Sequence, residues 1–268
     1  MRKEVKKAKR IVIKVGTSTL IYPNGNINLA AIDQLAFVLS DLHNRGKEVI
    51  LVSSGAVGVG MHKMNQTKRP TTIPEQQAIA AIGQGELMNI YNQRFNVYNQ
   101  QIAQILVTRD VIDFPQSRRN VINTLEQLLA MGTIPIVNEN DTVAIDELDH
   151  STKFGDNDQL SAIMTNLIAA DLLIILSDIN GFYSANPTIN PKAKMYQKVT
   201  VIDEMLMAQA GGAGSTFGTG GMYSKLQAAL RIFETNSTMI LANGNDPTII
   251  FDILNGKEIG TLFKEEHS

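Results

Sequence analysis

Cysteine is absent from this chain of 268 residues, which excludes a disulfide framework, thiolate metal sites and thiol catalysis. An excess of one charge is also missing: 24 lysines and arginines against 26 aspartates and glutamates give a formal net charge of -2. The densest basic stretch is the beginning, with Arg2, Lys3, Lys6, Lys7, Lys9 and Arg10. Nucleic-acid arms work through dense positive charge, and Glu4 dilutes it here. The expectation is therefore a solvated lead-in to the first strand and no nucleic-acid partner. No apolar run reaches the roughly 20 residues that a membrane helix needs, and the start lacks an apolar stretch of signal-peptide length. A soluble, cytoplasmic protein with no membrane partner is expected.

Several phosphate and metal motifs are missing too. The Walker A pattern does not occur, since both Gly-Lys pairs (Gly46-Lys47 and Gly256-Lys257) are followed by Glu. The dinucleotide fingerprint GxGxxG begins at Gly218 but fails at Tyr223. These absences argue against a P-loop NTPase and a Rossmann dehydrogenase. His43, His62, His150 and His267 are scattered with no HExxH, so a zinc hydrolase has little support.

What is present is a rhythm. Short apolar runs at 11–15, 49–52, 102–107, 134–137, 172–176 and 238–242 read as buried parallel strands. Segments with helical spacing lie between them, at 29–42, 75–91, 120–131, 158–170 and 222–233. Strand alternating with helix predicts an α/β fold: a three-layer αβα sandwich on a mainly parallel open sheet. Residues 63–74, 185–194 and the glycine-dense 211–221 read as long loops. No repeat, low-complexity tract or linker divides the chain, so residues 1–268 are expected to form a single domain.

Polar clusters follow the strands. Gly16-Thr17-Ser18 follows the first, Ser53-Ser54-Gly55-Ala56 the second, Asn138-Glu139-Asn140-Asp141 the fourth, and Ser177-Asp178 the fifth. Open α/β sheets bind ligands at the carboxyl ends of their strands, so clusters far apart in sequence are expected to converge there. Lys14 stands inside an apolar run. It either reaches an anion beside the turn at Gly16 or belongs to an edge strand and snorkels to water. The serines before Ala56 mark either a helix N-terminus facing an anion or a plain serine cap. Asn138-Glu139-Asn140-Asp141 and Gly155-Asp156-Asn157-Asp158 either grip an ammonium and a carboxylate, orient lysines and Mg²⁺, or are turn residues, with Asp156 to Asp158 capping the following helix. Gly218 to Lys225 is either a phosphate cradle carrying a mobile lysine or a loose surface loop.

Taken together and in order, VIKVGTSTL, VSSGAVGVG, AAIGQGELM, NENDTVA, GDNDQLSA, LSDINGFYSANP, GTGGMYSKLQAA and IGTLF resemble the amino acid kinase family, and within it the branch acting on glutamate. The resemblance covers nearly the whole chain. It implies transfer of phosphate from ATP to the γ-carboxylate of L-glutamate, with Mg²⁺ as cofactor. Lys14 and Lys225 would contact the ATP phosphates, and Asp158 would orient both lysines. The backbone at Gly16 and Gly55 would assist the moving phosphoryl group. Ser54, Asp141 and Asn157 would bind glutamate. Ser177, Asp178, Thr219, Gly220, Gly221, Met222, Tyr223, Ser224 and Lys225 would bind the nucleotide. Direct metal ligands are not implied.

The resemblance further implies a product that feeds proline synthesis through glutamyl phosphate reductase. It also implies proline as feedback inhibitor, acting near the glutamate site and residues 63–74, and a homo-oligomer. Two departures are visible. Ser177 stands where threonine is frequent, which keeps the hydroxyl. The chain ends soon after IGTLF, so a form without the C-terminal PUA domain is expected.

Overall fold

A computed structural model describes residues 2–144, 156–210 and 221–265. In chain order the elements are α1 (Lys3–Lys7), β1 (Arg10–Val15), α2 (Thr17–Leu20), α3 (Leu29–Asn44), β2 (Glu48–Ser53), α4 (Ala56–Lys63), α5 (Ile73–Val97) and β3 (Ile102–Val107). Then come α6 (Arg109–Asp113), α7 (Pro115–Ala130), β4 (Ile134–Glu139), α8 (Asn157–Leu167), β5 (Leu172–Ser177) and β6 (Lys198–Val199). The chain closes with α9 (Glu204–Gln209), α10 (Gly221–Phe233), β7 (Thr238–Asn243), α11 (Ile249–Leu254) and β8 (Thr261–Phe263).

The eight strands form one sheet in the order β3-β4-β2-β1-β5-β7-β8-β6. All described pairings are parallel except β7 with β8. The expected αβα sandwich on a mainly parallel open sheet is therefore found. All six apolar runs became strands; five of them (β1, β2, β4, β5 and β7) are buried almost throughout, as a parallel sheet covered by helices requires, while β3 lies at the sheet edge and is only partly buried.

Alternation along each strand sorts residues between two cores. Ile11, Ile13 and Val15 pack with Ile32, Leu35 and Leu39 of α3 and Leu87 of α5. Val12 faces the other way, toward Leu160 and Met164 of α8 and Leu226 and Ile232 of α10. Full burial of each such side chain contributes about 1.5–3 kcal/mol. Lys14 has the parity of Val12, so it points to the α8–α10 side.

The structure corrects three expectations. Strand β1 is central, paired with β2 through Lys14↔Val52 and with β5 through Lys14↔Ile175, so the edge-strand reading of Lys14 fails. The long loop at 63–74 is shorter, because Lys63 ends α4 and Ile73-Pro74 start α5, where the Glu75 carboxylate accepts from the Thr72 N–H. The lead-in is not simply solvated: Arg2 is buried and donates to the carbonyls of Gln197, Ile259 and Gly260. Among the described residues, no helix is long and apolar enough to cross a membrane.

Candidate functional site

The connection leaving β1 runs to β2 on one side, while β5 lies on the other side and leads to β7. A doubly wound sheet opens a crevice at the carboxyl end of such a switch point. Helices α8 and α10 begin at this edge, with N–H groups unsatisfied by their own turns. Lys14 reaches it from the end of β1, Asp158 from the first turn of α8, and Lys225 from one turn into α10.

These three side chains meet. The Lys14 ammonium lies 2.7 Å from Asp158 Oδ1, and that of Lys225 lies 3.0 Å from Asp158 Oδ2. Side-chain exposure is 11% for Lys14, 10% for Lys225 and 2% for Asp158. Burying a lone ammonium costs several kcal/mol, so this pairing is what makes a lysine tolerable in a central strand. Burial alone would raise the Asp158 carboxyl, but the charges and hydrogen bonds of Lys14 and Lys225 prevail and hold it below its ordinary value. Two cations sharing one carboxylate leave one positive charge unbalanced within the trio. Each ammonium carries three donors, of which Lys225 spends a second on the Gly221 carbonyl. The arrangement suits an incoming anion.

Beside it lies a cavity of about 320 Å³, lined by Ser177, Asp178, Tyr183, Asn186, Met222 and Lys225 among others. The Ser177 hydroxyl donates to Asp178 Oδ1, which ties together the two residues that end β5 and begin the following turn.

On the other flank a chain of amides runs inward. Asn157 Nδ2 donates to Ser54 Oγ and to Asn138 Oδ1, both at 2.9 Å. Asn138 Oδ1 also accepts from the Glu139 N–H, and its Nδ2 donates to Gln84 Oε1. A backbone N–H can only donate, so it fixes Asn138, and Asn138 in turn fixes Asn157. The carbonyl oxygen of Asn157 is thereby left to accept from elsewhere. Ser54 is set by the turn between β2 and α4, where Gly55 is the helix N-cap at φ 104°. A side chain is strained at that angle and would also press on Leu20. The cap is therefore glycine backbone, which corrects the serine-cap reading. Below it, Gly83 of α5 sits where a Cβ would strike the Ala56 carbonyl at 1.8 Å, so α4 and α5 pack backbone to backbone.

A comparison with known families finds the amino acid kinase family across residues 9–243. The chain belongs to the amino acid kinase family. Among its relatives, the glutamate 5-kinase of Enterococcus faecalis is 68% identical over 98% of this chain and 97% of its own length. The glutamate 5-kinase of Listeria monocytogenes is 62% identical over 100% of this chain and 98% of its own. Solved structures agree on the fold. Giardia lamblia carbamate kinase bound to AMP-PNP superposes with a TM-score of 0.66 at 16% identity, covering 97% of this chain and all of that one (100%). Isopentenyl phosphate kinase from T. acidophilum gives 0.64 at 17%, covering 94% and 99%.

Within this amino acid kinase chain, Lys14, Asp158, Lys225, Asn157 and Ser54 converge as two adjoining groups. Gly16 lies against them, its Cβ position 3.5 Å from the Lys14 ammonium. Ser177, Asp178, Gly221 and Met222 line the cavity, whereas Tyr223 and Ser224 are not among its lining residues. Asp141 lines a separate small cavity of about 100 Å³ with Val57, Arg69, Gln77 and Ala144. Asp156 caps α8, accepting from the N–H groups of Asp158 and Gln159. Thr219 and Gly220 lie outside the described residues. Sequence reasoning missed Tyr183 and Asn186 in the cavity wall and Gln84 behind Asn138, whereas Asn138 belongs to the polar cluster expected after the fourth strand and is found holding Asn157. It also missed Tyr91, whose hydroxyl meets Ser53 Oγ at 2.8 Å. Burial pushes the Tyr91 phenol up, against the opposing pull of Ser53, so it serves the turn as a neutral partner.

Proposed function

We propose that this chain transfers the γ-phosphoryl group of ATP to the side-chain carboxylate of L-glutamate, giving L-glutamyl 5-phosphate, the first step of proline biosynthesis. The observation that carries the reaction class is the buried Lys14–Asp158–Lys225 trio with its unbalanced positive charge. The choice of acceptor rests on the glutamate 5-kinases at 60–68% identity.

The γ-carboxylate has a pKa of about 4.3 and is ionised at neutral pH, so no general base is needed. The obstacle is bringing one anion up to another, and it is met by positioning and charge. Lys14 and Lys225 offset the phosphoryl oxygens while Asp158 keeps both ammonium groups in register. Backbone N–H groups near Gly16 and Gly55 hold the phosphoryl group in line. Ser54, Asn157 and Asp141 seat glutamate, with Asn157 presenting its carbonyl oxygen to the α-ammonium. Ser177, Asp178 and residues 219–225 hold the nucleotide.

Among the described residues, no group of three His, Cys, Asp or Glu side chains gathers to cage a metal. On this reading Mg²⁺ would be held mainly by the ATP phosphates and would supply further positive charge to their oxygens. The same reading includes a cytoplasmic homo-oligomer of single-domain subunits. Glutamyl phosphate reductase would consume the product, and proline would inhibit near the glutamate site and residues 63–74.

The test is ADP release from Mg-ATP with glutamate, aspartate, N-acetylglutamate, carbamate or UMP as acceptor, with hydroxylamine present to trap an acyl phosphate. ADP and hydroxamate from glutamate alone are expected. Turnover with another acceptor moves the specificity, and no turnover from folded, ATP-binding protein removes the kinase reading.

A further inference from the structure

Helices α8 and α10 carry Asp158 and Lys225, and several side-chain hydrogen bonds cross between them. Behind the ion pair, Gln159 is buried, at 7% exposure. Its Nε2 donates to the Ser224 carbonyl at 3.1 Å and approaches Gln227 Oε1 at 3.4 Å. Its Oε1 accepts from Arg231 Nε at 2.7 Å. Farther along the same seam, Asn166 donates to the Arg231 carbonyl and accepts from the Thr235 hydroxyl.

The remaining contacts between these helices are apolar, from Leu160 and Met164 on one side and Leu226, Ala229 and Ile232 on the other. Apolar packing is non-directional and fixes the height and rotation of a helix only loosely. A hydrogen bond to a main-chain carbonyl fixes both. Gln159 is next to Asp158, and Ser224 is next to Lys225, so the neutral bond and the ion pair are adjacent rungs between the two helices. Arg231 takes the oxygen end of the Gln159 amide and so leaves the nitrogen end facing Ser224.

We infer that Gln159 is a positioning residue: by holding the Ser224 carbonyl it sets where α10 delivers the Lys225 ammonium. This rests on the kinase reading above only for its activity readout.

The experiment compares Gln159→Leu, Gln159→Glu and Asn166→Leu. Leucine removes both polar ends. Glutamate keeps an acceptor for Arg231 but turns an acceptor toward the Ser224 carbonyl. Asn166→Leu breaks the far rung and serves as the stability control. With Mg-ATP and glutamate, both Gln159 variants are expected to lose about tenfold or more in kcat, since small misplacements of catalytic groups cost up to about 10²-fold, with both KM values unchanged. Asn166→Leu keeps its kcat at any comparable loss in melting temperature.

Acetylation of Lys225, followed by mass spectrometry on ligand-free protein, gives the second readout. It should speed up in the Gln159 variants and not in Asn166→Leu. Unchanged kcat in the Gln159 variants overturns the inference, as does a fall shared by all three in step with stability. If wild-type protein does not act on glutamate, the functional reading fails but the labelling still decides: unchanged Lys225 protection in Gln159→Leu overturns the positioning role, and lost protection supports it.

Discussion

Strand β1 carries a cation at each end of one face, and the two are treated in opposite ways. At the amino end, Arg10 meets Glu48 Oε2 and Glu126 Oε1, each at 2.6 Å, and also donates to the Ile168 carbonyl. Burial would lower the guanidinium, but the hydrogen bonds and charges of Glu126 and Glu48 leave it raised. One cation there has two carboxylates. At the carboxyl end, Lys14 shares a single carboxylate with Lys225. The amino end is thus a saturated clamp joining β1, β2 and α7. The carboxyl end is held together but left short of negative charge. The same physics gives a staple in one place and, on the proposed function, an anion site in the other, and the ratio of charges decides which.

The sharpest way to break this contrast is Asp158→Asn. It leaves two buried ammonium groups with no counter-charge, so kcat should fall by about 10²–10³-fold and stability by about 3–5 kcal/mol, read by hydroxamate formation and chemical denaturation. The pH dependence has a definite sign. The folded carboxyl lies below its ordinary value of 3.8, so its contribution is complete above that value and is lost as pH falls through the lower, folded value. Denaturation curves of the asparagine variant should lack this acid-side loss.

Next in size is Asn157→Ala, outside the charged trio. The KM for glutamate should rise about tenfold, as expected for a lost hydrogen bond to a charged group, with the KM for ATP unchanged. An unchanged glutamate KM removes Asn157 from the acceptor site. The smallest effect belongs to the clamp. Because Glu48 and Glu126 are each 45% exposed, Arg10→Gln should cost about 1 kcal/mol with kcat unaltered. A loss of turnover there would erase the distinction between the two ends.

Much of this was legible in the sequence, for identifiable reasons. A strand buried on both faces must be apolar throughout, so the five inner runs were visible, and the edge strand β3 was visible because only Gln104 interrupts its apolar sequence. Strands β6 and β8 are two and three residues long, too short to show a pattern. Lys14 was visible because it interrupts an apolar run. Whether that meant an edge or a ligand required knowing that β1 lies between β2 and β5. Tyr183 and Asn186 reach the cavity on an irregular segment with no periodicity to read. Gln159 resembles any polar residue in the first turn of a helix, and its bond to the Ser224 carbonyl spans 65 positions.

The trio also bears on how the chain is made. Lys14 is synthesised early, Asp158 past the midpoint and Lys225 late, so the central strand carries a charge that cannot be comfortably enclosed until distant parts arrive. A nascent chain or proteolytic fragment ending before α10 can pair β1 with β2 yet holds only half of the lysine pair. With the roles proposed for the trio, phosphoryl transfer would report completed assembly, and its appearance during refolding should coincide with docking of α10 rather than with the first growth of the sheet.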